Sequence, residues 1–233
     1  MTLAFVTGGS RGLGLETARG LRAQGIDVVL IASNEQLLAS VALEIGAKFA
    51  MVDLVDPEAT RTVAEALLAT HGVPDILILA HGVMSEKMSK TLRTTTKEWR
   101  RVMAINLDSV FVLINAIVPA MAELRRGRVI VFSACMGRMS GPGNTGGLAP
   151  YRISKAGVNA LVRNLAHETG LGTRGLLIDA TCPNHSRTDM GGANAPRSVQ
   201  EGAATALWLA TREFETGVDQ TGFFWEDRRV IPW

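Results

Sequence analysis

Thr7-Gly8-Gly9-Ser10-Arg11-Gly12-Leu13-Gly14 is the stretch that decides the fold of this 233-residue chain. It follows an apolar run, Leu3-Ala4-Phe5-Val6, and opens a helical pattern over residues 13–24. Gly8 and Gly12 let the backbone approach a bulky anion, and Gly14 lets the helix pack close to the strand. The helix amino terminus adds free N–H groups and the positive end of a dipole. A strand, a glycine turn and a helix in that order form a cradle for a dinucleotide pyrophosphate. An ordinary tight strand-to-helix turn is the alternative, and this context favours it less.

Outward from the turn, short apolar runs alternate with helical patterns. Strands are expected at 3–7, 27–31, 48–52, 76–79, 128–132, 176–181 and 222–225. Helices are expected at 13–24, 35–45, 57–70, 97–121 (ending near Pro119), 151–169 and 199–211. Runs of four to six apolar residues suit strands buried on both faces. Their alternation with helices predicts an α/β, doubly wound Rossmann fold, with residues 1–233 as a single domain. Two glycine-rich loops, 137–150 and 184–197, leave the carboxyl ends of strands, where such sheets bind ligands. They are read as pocket walls, the second as a lid.

Composition narrows the function classes. Lys and Arg number 24 against 22 acidic residues, with no dense basic run, so nucleic acid is not expected as a partner. Two cysteines, Cys135 and Cys182, suit a reducing cytosol and form no metal motif. His71, His81, His167 and His185 show no ligand spacing, so no metal is expected. The amino terminus lacks the pattern of a signal peptide, and apolar runs fall short of the ~20 residues that span a bilayer. The expectation is a cytoplasmic protein without a membrane partner.

The second strand ends in Ala32-Ser33-Asn34, without the acid that usually bonds the ribose 2′-hydroxyl of NAD. Arg11 is placed to meet a 2′-phosphate, with Ser33 and Asn34 as donors, so NADP(H) is favoured over NAD(H). Asp53 is placed to accept from the adenine amine, or else to cap the turn before Pro57.

Beyond the turn, the chain carries Val52-Asp53-Leu54, Ile105-Asn106-Leu107 and Tyr151-Arg152-Ile153-Ser154-Lys155. It continues with Cys182-Pro183, Thr188-Asp189-Met190 and Gly222-Phe223-Phe224. In this order they resemble the short-chain dehydrogenase/reductase family, in particular its carbonyl-reductase-like bacterial members, over essentially the whole chain. The resemblance implies a seven-stranded, mostly parallel sheet and hydride transfer between a nicotinamide and a carbonyl or alcohol. It implies Tyr151 as acid/base, Lys155 lowering its pKa from the next helical turn, and Asn106 in a proton relay. The implied cofactor contacts are Thr7, Gly8, Ser10, Arg11, Gly12, Leu13 and Gly14 from the turn. Ser33, Asn34, Asp53, Leu54, Ala80 and Gly82 follow from strand ends, and Tyr151, Lys155, Pro183, Asn184 and Thr188 from the later motifs. It also implies a homodimer or homotetramer paired through the two long helices, with Ala116, Ile117, Ala120, Ala160 and Leu161 as a possible seam.

Three departures surround the expected reaction centre. Where the family shows a serine that orients the carbonyl, Ser133-Ala134-Cys135-Met136-Gly137 places Ala134, with Ser133 expected to face the other way. Either a natural repurposing or an introduced alanine accounts for it. His81 replaces a small residue beside the cofactor and is read as a candidate acid/base or as a supporting histidine. Asn184 replaces a glycine, and His185, a further candidate catalytic residue, follows it, so both side chains either enter the pocket or face solvent. Ala134, Cys135, Met136, Met84, Asn144, Asn184, His185 and Met190 make up the expected substrate pocket. Met88 and Met139 join the Met-rich lining, which suits a bulky apolar small molecule or else fills gaps in the core. Three readings follow: an NADP-dependent reductase of a carbonyl, imine or enone; a cyclase, isomerase or dehydratase that keeps the cofactor as structure or lacks it; and a nucleotide sensor. Retention of Tyr151 and Lys155 ranks them in that order.

Overall fold

Strands alternate with helical segments as far as the sixth strand. The computed structural model describes residues 2–86, 90–141 and 146–233. The order is β1 Leu3–Thr7, α1 Gly12–Ala23, β2 Asp27–Ala32, α2 Glu35–Ile45, β3 Lys48–Met51, α3 Pro57–His71 and β4 Ile76–Leu79. Then come α4 Thr96–Met103, α5 Ser109–Glu123, β5 Gly127–Phe132, α6 Ala149–Glu168, β6 Leu176–Thr181, α7 Val199–Thr211, β7 Phe224–Glu226 and β8 Arg229–Ile231. The sheet runs β3-β2-β1-β4-β5-β6-β7-β8. All neighbours are parallel except β7 and β8. Strand order reverses between β1 and β4, which opens a crevice at the carboxyl edge.

Each strand sends alternate side chains to opposite faces. Phe5, Val29, Leu77 and Val129 pack on one face with residues of α3, α5 and α6. Val6, Leu30, Ile78 and Ile130 pack on the other with residues of α1, α2 and α7. Two buried layers therefore hold the sheet, and the loops at its carboxyl edge are left to carry chemistry.

The sheet has eight strands where seven were expected. The eighth returns through a two-residue turn at Asp227 (φ 50°) and Arg228 (φ 60°). Such a turn normally reads Asn-Gly or Asp-Gly, and here Asp227 is in place but Arg228 stands where glycine is usual. The long helix also differs. Pro119 does not end it, because helix continues from Thr96 to Glu123 through a π turn at Ala104–Asp108. That span is long and apolar enough to cross a membrane, but Val102, Val110, Leu113, Ile117 and Met121 are buried in the protein's own core. Ile117 is thereby core rather than seam, while Ala160 is exposed.

Candidate active site

The glycine turn shapes a groove at the crevice. Gly8 and Gly12 take φ values of 65° and 55°, which L side chains rarely adopt. A Cβ on Gly14 would lie 2.4 Å from the Gly8 carbonyl oxygen, so α1 begins where only glycine fits. Gly14→Ala is accordingly expected to displace the turn and abolish nucleotide binding, read by titrating reduced-cofactor fluorescence, with a lowered Tm. The groove encloses about 500 Å³ and is lined by Gly8, Ser10, Arg11, Gly12, Leu13 and Gly14, by Ser33, Asp53, Leu54, Ala80 and Gly82, and by Thr188 and Met190. Its size and glycine floor fit a dinucleotide. A cavity of about 570 Å³ at the amino ends of the strands, beside Asp75 and Arg128, has no such cradle.

Some expected contacts have other partners. Thr7 is fully buried, and its hydroxyl lies 2.6 Å from His81 Nδ1 rather than in the groove. Asn34 caps α2, accepting from Leu37 N at 2.9 Å. Asp53 lines the groove while accepting from Val55 N at 3.1 Å, and Asp56 is the cap of α3. Arg11 pairs with Asp189 at 2.7 Å, the two side chains being 70% and 75% exposed, so a contact links the turn to the loop after β6.

Tyr151 and Lys155 lie one turn apart on α6, at 6% and 4% exposure. Lys155 Nζ donates to the Phe132 carbonyl at 2.7 Å, and burial holds its pKa down at about 8. Burial pushes the Tyr151 phenol above its ordinary range, and the Cys182 and Cys135 thiols add to that. The lowering expected from Lys155 does not offset it. Asn106 sits in the π turn, a local widening that often marks functional positions. Its Oδ1 accepts from Val83 N at 2.7 Å, while Nδ2 donates to Val83 O at 2.9 Å and to Ser154 Oγ at 3.0 Å. Ser154 Oγ donates to the Tyr151 carbonyl at 2.7 Å, which joins the π turn to the head of α6.

His81 bridges the two regions. Its Nε2 lies 2.7 Å from Ser109 Oγ, which donates to the Ile105 carbonyl at 2.7 Å. That commits the serine hydrogen, so Nε2 carries the imidazole proton and Nδ1 accepts from Thr7 Oγ1, which accepts from Ala80 N at 3.1 Å. Burial, with Lys155 nearby, lowers the His81 pKa to about 3, and the ring is neutral. Both nitrogens are occupied by structure.

The loop after β5 presents Ala134, nearly buried and without a hydroxyl. Ser133 Oγ is turned to α6, donating to Asn159 Oδ1 at 2.5 Å and Lys155 O at 3.3 Å. Cys135 N donates to Cys182 Sγ at 3.1 Å. Met84 and Met136 are partly buried, whereas Met139 is exposed. Asn144 and Met88 lie outside the described residues. Asn184 takes φ 57°, but Nδ2 bonds Glu226 at 2.6 Å. His185 is exposed, with Nε2 2.8 Å from the Gly191 carbonyl. The loop they start is tied by a bridge between Ser186 and Arg197 and by the Arg197–Asp227 pair at 2.6 Å. Ser85, which accepts from Tyr151 N at 2.8 Å, and Ser109 and Ser154 escaped sequence reasoning. A buried serine leaves no pattern in one sequence.

Residues 2–198 match the family model described as short chain dehydrogenase. The chain is 34% identical over 190 residues to the 3-oxoacyl-[acyl-carrier-protein] reductase FabG of Escherichia coli (strain K12), covering 81% of this chain and 75% of that protein. It is 31% identical over 192 residues to the gluconate 5-dehydrogenase of Gluconobacter oxydans (strain 621H), covering 80% and 72%. Among solved structures it resembles a blue fluorescent protein from a metagenomic library in complex with NADPH, at 25% identity and TM-score 0.83, over 96% and 94% of the two chains. The glycine cradle, the fold and these matches agree: the chain belongs to the short-chain dehydrogenase/reductase family.

Proposed function

We propose that the chain is an NADP(H)-dependent oxidoreductase acting on a carbonyl, imine or enone of a small apolar substrate. The observation that carries this is that Gly82, in the wall of the groove, sits against Asn106 and Lys155, a Cβ there lying 3.3 Å from Asn106 Oδ1 and 3.6 Å from Lys155 Nζ, with buried Tyr151 one turn from Lys155 on α6. When bound, the nicotinamide supplies or accepts the hydride. Tyr151, held neutral by burial, offers its hydroxyl proton to the substrate oxygen or nitrogen. Lys155, charged below pH about 8, faces that reaction centre with a cation. Asn106 fixes the Val83 backbone and, through Ser154, the first turn of α6.

On the family pattern, Ala134 stands where a serine orients the carbonyl. Ser133 and His81 are committed elsewhere, which leaves Tyr151 as the proposed donor. This favours an imine or conjugated alkene, which develops less charge on oxygen than a ketone does. It equally supports a second reading, a cyclase, isomerase or dehydratase in which Tyr151 and the pocket walls orient the substrate. Consumption of NADPH against ketones, quinones, imines and enones tests the first reading. Binding without consumption, with products isomeric to substrates, would replace it with the second.

For the cofactor, the end of β2 offers Ser33 and no carboxylate, and Arg11 stands exposed at the groove. Arg11→Ala is expected to raise KM for NADPH about tenfold or more, the loss of a charge-assisted contact, with KM for NADH little changed. Equal effects on both would remove Arg11 from the 2′-phosphate. Half-exposed Phe111 and Ile153 on α5 and α6 support a homodimer or homotetramer. Two free thiols fit a cytoplasmic setting.

A further inference from the structure

We propose that Cys135 and Cys182 form a reversible oxidation site, which a hydroperoxide converts to a disulfide at the rim of the active site. β5 and β6 pair with Phe132 opposite Thr181, so both cysteines leave neighbouring strands at the same edge. Cys182 directly follows β6, and Cys135 opens a 3-10 turn, Cys135–Gly137. The Cys135 amide lies 3.1 Å from Cys182 Sγ and the two thiols are hydrogen-bonded to each other, so the sulfurs that would join are already neighbours. They are the only cysteines in the chain, so no third thiol competes.

The two positions are unequal in the way such chemistry needs. Cys135 is partly exposed and Cys182 is buried behind it. The Cys182 thiol donates to Cys135 and, with Arg138, holds the outer thiol down at about pKa 6, against the opposing effects of burial and of Glu226. The Cys135 thiolate attacks the peroxide, whose O–O bond breaks, giving Cys135 sulfenic acid and water once a proton is taken up. The Cys182 sulfur then attacks the Cys135 sulfur, the S–O bond breaks and a second water leaves. Two thiols and one peroxide thus become one disulfide and two waters, and a dithiol reductant reverses the change.

The turn that moves is seated on catalytic machinery. A Cβ on Gly137 would lie 2.6 Å from the Lys155 carbonyl carbon, so this turn presses directly on α6. Drawing Cys135 toward Cys182 pulls on that seat and on Pro183, and turnover falls. This last consequence rests on the redox reading above, whereas disulfide formation does not.

The test treats the reduced full-length protein with hydrogen peroxide, alkylates remaining thiols and measures intact mass without reductant. The expected result is loss of the mass of two hydrogens, no alkylation, one Cys135–Cys182 cross-linked peptide and recovery with dithiothreitol. Cys182→Ser is expected instead to hold a sulfenic acid on Cys135 that dimedone traps. Retention of two alkylatable thiols, oxygen addition without the cross-link, or cross-links only between chains would overturn the proposal. Turnover of the disulfide form is expected to fall about 10²-fold and return on reduction, and unchanged turnover would overturn the coupling to the active site. If the reduced protein consumes no NADPH with any substrate, the redox reading fails while the mass result still decides the disulfide.

Discussion

Tyr151→Phe is expected to lower kcat by about 10²–10⁴-fold while leaving cofactor affinity unchanged. Phenylalanine fills the same buried volume at the head of α6, and the backbone bond from residue 151 to Ser85 persists. What disappears is the hydroxyl proposed to transfer the proton. Two measurements separate this from misfolding: an unchanged Tm and an unchanged NADPH titration. The wild-type pH profile adds a second check. Lys155 is cationic only below about pH 8, so turnover should decline as pH rises through that value. The tyrosine itself remains protonated throughout that range, because its pKa lies above the ordinary phenol value. A variant that retained full turnover would transfer the acid/base role away from Tyr151.

Ala134→Ser should produce the largest gain. A donor aimed at a developing oxyanion is worth about 2.7–4 kcal/mol, or roughly 10²–10³ in kcat. The site is prepared to receive it, since Ala134 has an extended backbone (φ −154°) immediately before the 3-10 turn and lies nearly buried. Ser133 does not compensate, since its hydroxyl is bonded to Asn159 and the Lys155 carbonyl. The gain is expected on ketones and should be small on imines and enones, whose transition states place less charge on oxygen. Measuring kcat for both classes in both proteins reads the difference directly. An equal gain on all substrates would point to improved packing, and no gain on any would mean that residue 134 does not face the reacting atom.

Much of this was legible beforehand, for identifiable reasons. β1, β2 and β4 announce themselves because nearly every residue is buried and apolar, whereas β3 is an edge strand with Phe49 and Met51 exposed. Gly14 announces itself because its neighbour is backbone, and no side chain fits there. β8 is hidden because Arg228 takes the positive φ that glycine usually supplies after Asp in such a turn. Asn34 has a side chain that suits the groove, and the types of Asn184 and His185 suit pocket and solvent equally. Their actual partners are a cap site, Glu226 and the Gly191 carbonyl, and only folding brings the distant ones near. The pairing of Cys135 with Cys182 spans 47 positions and leaves no local signal.

The histidine bridge also bears on proton traffic. A proton relay needs carriers that alternate between giving and receiving. The chain through Thr7, His81 and Ser109 starts at a backbone N–H and ends at a backbone carbonyl, with a hydrogen assigned to every link. Neither end exchanges protons readily, and the low pKa of His81 closes the cationic state that would open the path. The bridge is therefore an insulator built from groups usually seen as conductors. It joins the glycine turn to the π turn mechanically and carries no proton between them.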